Sequence, residues 1–288
     1  MASNLVQRVG FAAVAIPLAL GVVWLGGLPL ALLVAVVAVL GTRELFDFAR
    51  HQGVEAAAIP GLLSAAAVPI VVWLRFESGL LTAWLAEAWP YLVALWILLV
   101  LTWVLASRSA GERPLTAAAV TLLGPAYCAV LPAFLLAIRH ADHAGRSWPG
   151  AVLVFFPLVV VWICDSAAMF VGKAVGGPKL APEISPGKTR SGAIGGLLGA
   201  VAAAALWNQL VMVPFEVAIP LVQALVFGAV IGVVGQVGDL AESLFKREAG
   251  VKDSSTLIPG HGGVLDRFDS LYFVLPVAAL MLRCFGAA

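Results

Sequence analysis

VAIPLVQALVFGAVIGVVGQVGDLAESLF, residues 217–245, runs from Val217 to Gly238 without a charge before it meets Asp239 and Glu242. A helix rises 1.5 Å per residue, so about 20 apolar residues cross the hydrocarbon core of a bilayer. This stretch is long enough to do so. Eight other runs qualify, at roughly 10–25, 27–49, 58–75, 90–107, 116–138, 149–173, 191–212 and 265–285. The fold expected is therefore all-α, a polytopic integral membrane protein of about nine transmembrane helices.

Composition agrees. Of 288 residues, 62% are hydrophobic and 11% charged, against about 25% charged in a soluble domain. Mean hydropathy is +1.03. Seventeen basic and 16 acidic side chains cannot cover a water-soluble globule of this length. That excludes an ordinary cytosolic enzyme, a disulfide scaffold and a disordered chain. The net charge of +1 carries no signal for nucleic acid, and no nucleic-acid partner is expected. Cys128, Cys164 and Cys284 sit in apolar runs without CxxC spacing and read as core packing.

The first run follows Arg8 as a signal peptide would, but a second apolar run comes at once, as in a helical hairpin. The stretch 79–88 is too short to span and reads as interfacial, or as an extension of the fourth helix. With nine spans, the N-terminus and the loops after spans 2, 4, 6 and 8 share one side. All Lys and Arg but Arg75, Arg139, Arg146 and Arg283 then lie on that side. The positive-inside rule makes it the cytoplasmic one.

Residues 1–148 read as an N-terminal transmembrane scaffold, and 149–288 as the C-terminal transmembrane catalytic half. From 149 onward ionisable residues enter the spans, where each is a functional hypothesis by default. They are Asp165 near the end of span 6, Asp239 and Glu242 near the end of span 8, and Asp266 and Asp269 opening span 9. All approach one leaflet. Each of the last two pairs is spaced i, i+3 and shares a helix face. Such carboxylates suit Mg²⁺, which takes one or two of them together with substrate phosphate oxygens. The alternative is interfacial pairing with Lys246, Arg247 and Arg267.

The loop 246–270 sets Lys246, Arg247, Lys252, His261 and Arg267 beside Gly260, Gly262 and Gly263. Glycines admit close backbone approach, and cations there match a polyphosphate. The loop 165–196 is also basic, with Lys173, Lys179, Lys188 and Arg190. Its Ser185-Pro186 reads as a rigid turn that delivers a cation. Gly232, Gly235 and Gly238, like Gly192, Gly195, Gly196 and Gly199, read as helix-packing faces.

The segment SLFKREAGVKDSSTLIPGHGGVLDRFD, Ser243 to Asp269, resembles the signature of the phosphatidate cytidylyltransferase (CDP-diacylglycerol synthase) family. GDLAES (Gly238 to Ser243) also fits. DSAAMFVGK (Asp165 to Lys173) with ISPGKT (Ile184 to Thr189) fits more loosely. The family more often has a lysine at Gly187, and an aromatic then an acid at Arg190 and Ser191. The close resemblance covers roughly a third of the chain, and the first half agrees only in hydropathy.

The resemblance implies an inner-membrane enzyme, a homodimer, that condenses CTP with phosphatidic acid at the cytoplasmic leaflet. It implies Mg²⁺ on Asp239 and Asp266, and allows a second cation such as K⁺. Asp165, Glu242 and Asp269 are then supporting acids. Lys246 and Arg267 are expected in catalysis. Lys173, Ser185, Lys188, Arg247, Lys252, His261, Gly262 and Gly263 are expected at the substrates. Two rivals stand beside this. A cation- or proton-coupled transporter also uses intramembrane acids, but near the midplane. A CDP-alcohol phosphotransferase needs a D-x-x-D-G…D-x-x-x-D run, which this sequence lacks.

Overall fold

The computed structural model describes residues 17–76, 80–141, 143, 145–258 and 262–287. From Gly27 onward eight helices follow in order among them. They are α1 (Gly27–His51), α2 (Ala58–Leu74), α3 (Leu80–Ser107), α4 (Pro114–His140), α5 (Trp148–Val175), α6 (Arg190–Phe215), α7 (Leu221–Glu248) and α8 (Leu265–Cys284). Between α5 and α6 stands an antiparallel hairpin of β1 (Lys179–Ala181) and β2 (Ser185–Thr189).

The chain is an all-α polytopic membrane protein. Among the described residues six helices are long and apolar enough to cross a bilayer: α1, the Glu87–Ser107 part of α3, and α4 to α7. The apolar helix α2 is shorter, at 17 residues. The last expected span is α8, whose opening turns carry Asp266, Arg267 and Asp269. Of the first expected span, residues 17–25 are helical; its earlier part and Arg8 lie outside the described residues. Of the 79–88 stretch, residues 80–88 extend the helix that follows, since α3 runs unbroken from Leu80; Gly79 lies outside the described residues.

The described residues pack as two compact units, Met1–Leu136 with Glu248–Arg267, and Ala137–Arg247 with Phe268–Ala288. In the first, α1 lies against α2 and α4. The Phe46 ring wedges between two glycines. A Cβ on Gly61 would come within 2.5 Å of Phe46 Cζ, and one on Gly124 within 2.6 Å of Phe46 Cε1. Thr121 accepts from the Ala57 amide at 2.8 Å, satisfying a donor at the start of α2. Gly124→Ala should overpack this joint and cost about 1–3 kcal/mol. A thermal midpoint in detergent equal to wild type would refute that.

In the second unit α5 and α6 run together over most of their lengths. Glycines make this approach possible. A Cβ on Gly192 would sit 2.7 Å from the Ala168 carbonyl oxygen, and one on Gly196 2.9 Å from that of Cys164. Gly228 and Gly232 of α7 press equally hard on α6 at Ala200, while Gly235 has ordinary room. The small-residue faces are packing faces, as expected. Phe156 and Phe227 stack at 4.2 Å between centroids. Ser147 caps α5 through the Gly150 amide at 3.3 Å. Thr189 caps α6 through the Gly192 amide at 3.1 Å.

The hairpin was not foreseen. Ser185-Pro186 is no turn: Ser185 and Pro186 open β2, and Pro182–Ile184 make the turn. Proline lacks a donor but is tolerated in an edge strand, and a two-stranded hairpin has only edges.

Candidate active site

The second unit gathers acids from three helices. Asp165 comes from α5, Asp239 and Glu242 from α7, and Asp269 from the first turns of α8. The charges of Asp165, Asp239 and Asp269 act on one another. Lys188, at the end of β2, forms an ion pair with Asp239, each side chain 27% exposed. Lys246 pairs with Glu242 at 2.5 Å, one turn along α7, and its charge also reaches Asp269.

The height of these acids follows from helix length. At 28 residues each, α5 and α7 are about 42 Å long, more than the roughly 30 Å hydrocarbon core. Asp165 precedes the end of α5 by ten residues, and Asp239 precedes the end of α7 by nine. Each therefore lies about 14 Å from its helix end.

Close packing holds them there. A Cβ on Gly238 would lie 3.0 Å from the Asp269 carbonyl oxygen and 3.1 Å from Ser270 Cα, so the absence of a side chain lets α7 and α8 meet beside Asp239. Gln236, one turn before Asp239, donates to the Ala193 carbonyl of α6 at 3.2 Å and to Gly232 at 3.1 Å. Arg247 donates to the Ile184 carbonyl at 3.0 Å and ties the hairpin turn to the end of α7. Ser185 opens β2. Lys173 is exposed in the last turn of α5.

The first unit holds the rest of the signature. Asp266 Oδ2 accepts from the Ser254 amide at 2.8 Å, the Ser254 hydroxyl at 2.9 Å and the Gly263 amide at 2.9 Å. Gly262 takes φ +82°, and a Cβ there would lie 2.6 Å from Asp266 Oδ2. Its carbonyl accepts from the Ile258 amide at 2.9 Å, closing the loop. Lys252 and Arg267 are exposed. His261 and Gly260 lie outside the described residues.

Three features escaped the sequence reading. Glu44 of α1 is 4% exposed and its carboxylate is bonded to the 254–265 loop. It lies inside the expected span 27–49, so the rule that flags Asp165 flags it as well. Ser254 and Ser255 are the loop's hydroxyl donors to Glu44. Gln236 is a polar residue in mid-span, which is the same kind of signal.

A divalent cation fits these donors. They are hard oxygens, and three of the carboxylates stand close enough for their charges to act on one another. Among the described residues no three acids, histidines or cysteines close a metal's coordination by themselves. Mg²⁺ commonly takes only one or two carboxylates and completes its shell with substrate phosphate and water.

The description of the cytidylyltransferase family matches residues 6–285. The phosphatidate cytidylyltransferase of Bacillus subtilis (strain 168) is 32% identical over 282 residues, 97% of this chain and 98% of that protein. That of Staphylococcus saprophyticus is 33% identical over 260 residues, 89% of this chain and 91% of that protein. That of Brucella suis biovar 1 is 44% identical over 167 residues, 50% of this chain and 58% of that protein.

Proposed function

The chain belongs to the cytidylyltransferase family, and we propose that it transfers the cytidylyl group of CTP to phosphatidic acid, releasing pyrophosphate and leaving CDP-diacylglycerol in the membrane. The likeness across 97% of the chain to a phosphatidate cytidylyltransferase carries this reading. A water-soluble nucleotide meets a lipid phosphate only at headgroup level. Asp165 and Asp239 both lie past the midpoints of α5 and α7, toward the ends that lead into the basic hairpin and the 246–270 loop.

A phosphatidate oxygen attacks the α-phosphorus in line, and the bond to the bridging oxygen of pyrophosphate breaks. The nucleophile is already an anion, so no dedicated general base is assigned. The task is to neutralise and align two anions. Asp239 and Asp266 would hold Mg²⁺, with Asp165, Glu242 and Asp269 supporting. When bound, the ion offsets the negative charge of the triphosphate. The same acids would leave room for a second cation such as K⁺. Lys188, which pairs with Asp239, would neutralise a substrate phosphate. Lys246 and Arg267 neutralise the reacting phosphates, with Arg247 and Lys252 beside them. Lys173, Ser185, His261, Gly262 and Gly263 line the substrates. The enzyme is a homodimer in the inner membrane with its N-terminus and active site on the cytoplasmic side.

Purified protein given radiolabelled CTP, phosphatidic acid and Mg²⁺ should form a lipid-soluble nucleotide, and EDTA should abolish it. Absence of that product, with ion flux in liposomes instead, would overturn the assignment. Undiminished product in EDTA would remove Mg²⁺ alone.

A further inference from the structure

We infer that Glu44, on α1, is a positioning residue that sets the orientation of Asp266. The inference rests on the metal role proposed for Asp266. Glu44 Oε1 accepts from the Ser255 hydroxyl at 2.6 Å and the Val264 amide at 2.9 Å. Oε2 accepts from the Ser254 hydroxyl and the Leu265 amide, both at 2.8 Å. One carboxylate thus binds both ends of the loop that leads into α8, from more than two hundred residues away in the chain.

The amides of Val264 and Leu265 belong to the start of α8, where no residue of the helix itself can satisfy them. A negative charge there also complements the helix dipole. An ordinary cap needs only a Ser, Thr, Asn or Asp in the loop. Here the cap is a buried carboxylate on another helix, and the residue next to its last contact is Asp266. Burying that charge is tolerable because both oxygens are bonded.

Ser254 joins the two acids. Its hydroxyl lies 2.8 Å from Glu44 Oε2 and 2.9 Å from Asp266 Oδ2, yet it has one proton to give. Whichever acid it serves, the other keeps its partners: Ser255 and two amides for Glu44, two amides for Asp266. Glu44 therefore fixes the loop, the loop's amides fix Oδ2 of Asp266, and the carboxylate cannot turn freely. Groups that orient a metal's ligands typically change affinity or activity about 10–100-fold when removed.

The test is a double-mutant cycle on the purified full-length protein, with Mn²⁺ binding read by electron paramagnetic resonance and turnover by labelled CTP. Glu44→Gln should weaken Mn²⁺ binding by about tenfold. Added to Asp266→Asn it should weaken it no further, because it acts through that residue. Glu44→Asp, which keeps the charge but is one methylene shorter, should fall between. Wild-type Mn²⁺ affinity in Glu44→Gln, or losses that simply add, would overturn the inference and leave Glu44 a structural cap. If Glu44→Gln does not fold, Ser254→Ala takes its place in the cycle, because it removes only the shared hydroxyl. If wild type and Asp239→Asn bind Mn²⁺ alike, the metal reading fails instead. Turnover in the same four proteins then decides Glu44: non-additive losses uphold it, and additive losses or none overturn it.

Discussion

Asp239→Asn should lower CDP-diacylglycerol formation by about a thousandfold or more while leaving the protein folded. A cation that stabilises transition-state charge contributes several kcal/mol, and each 1.36 kcal/mol is a factor of ten in rate. Asparagine keeps the shape of the side chain and its reach to Ser243, whose hydroxyl lies 3.4 Å from Asp239 Oδ1, but it removes the charge. Folding should survive because the ion pair lost, that with Lys188, joins two partly exposed side chains; such pairs contribute at most about 1 kcal/mol. Asp266→Asn should be comparably inactive, and additional Mg²⁺ should not restore either. A purified variant with wild-type turnover would remove its residue from the metal site.

Hydropathy alone made the all-α polytopic fold legible. The acids in its apolar runs were legible too, because an ionisable residue in an apolar run stands out without any knowledge of its partners. Glu44 shows where this stops. In sequence its charge inside the span 27–49 is visible, but nothing near it says what it bonds. Its burial depends on Ser254, Ser255, Val264 and Leu265, more than two hundred residues downstream, and no local pattern encodes a pairing at that range. The hairpin failed for a different reason. Pro186 reads as a turn former, but its position beside the Ala181–Ser185 pairing depends on which carbonyls β1 offers. The phosphate roles expected of Lys188 and Lys246 rest on charge alone. The structure adds that each cation already has an acid, Asp239 and Glu242 respectively. Positive charge in a loop does not reveal what it neutralises when no substrate is present.

Gly263→Ala should cost about a hundredfold in turnover through a single methyl group. A Cβ at Gly263 would fall 2.5 Å from each carboxylate oxygen of Glu44 and closer still to the Ser254 hydroxyl. Real Cβ atoms do not approach that closely, so something has to shift. Glu44 has little room to yield, since four donors hold its two oxygens, and Gly263 is itself tied through its amide to Asp266 Oδ2 at 2.9 Å. The strain therefore falls on the bonds that orient Asp266. A displacement of about 1 Å at a catalytic group is enough for a hundredfold loss. Gly111→Ala makes the same chemical change where nothing lies within 4 Å, and should leave turnover intact. The pair separates the steric argument from any general intolerance of alanine in loops. Equal activity in both variants would mean that the Glu44 carboxylate can give way, and that the loop does not need glycine for this reason.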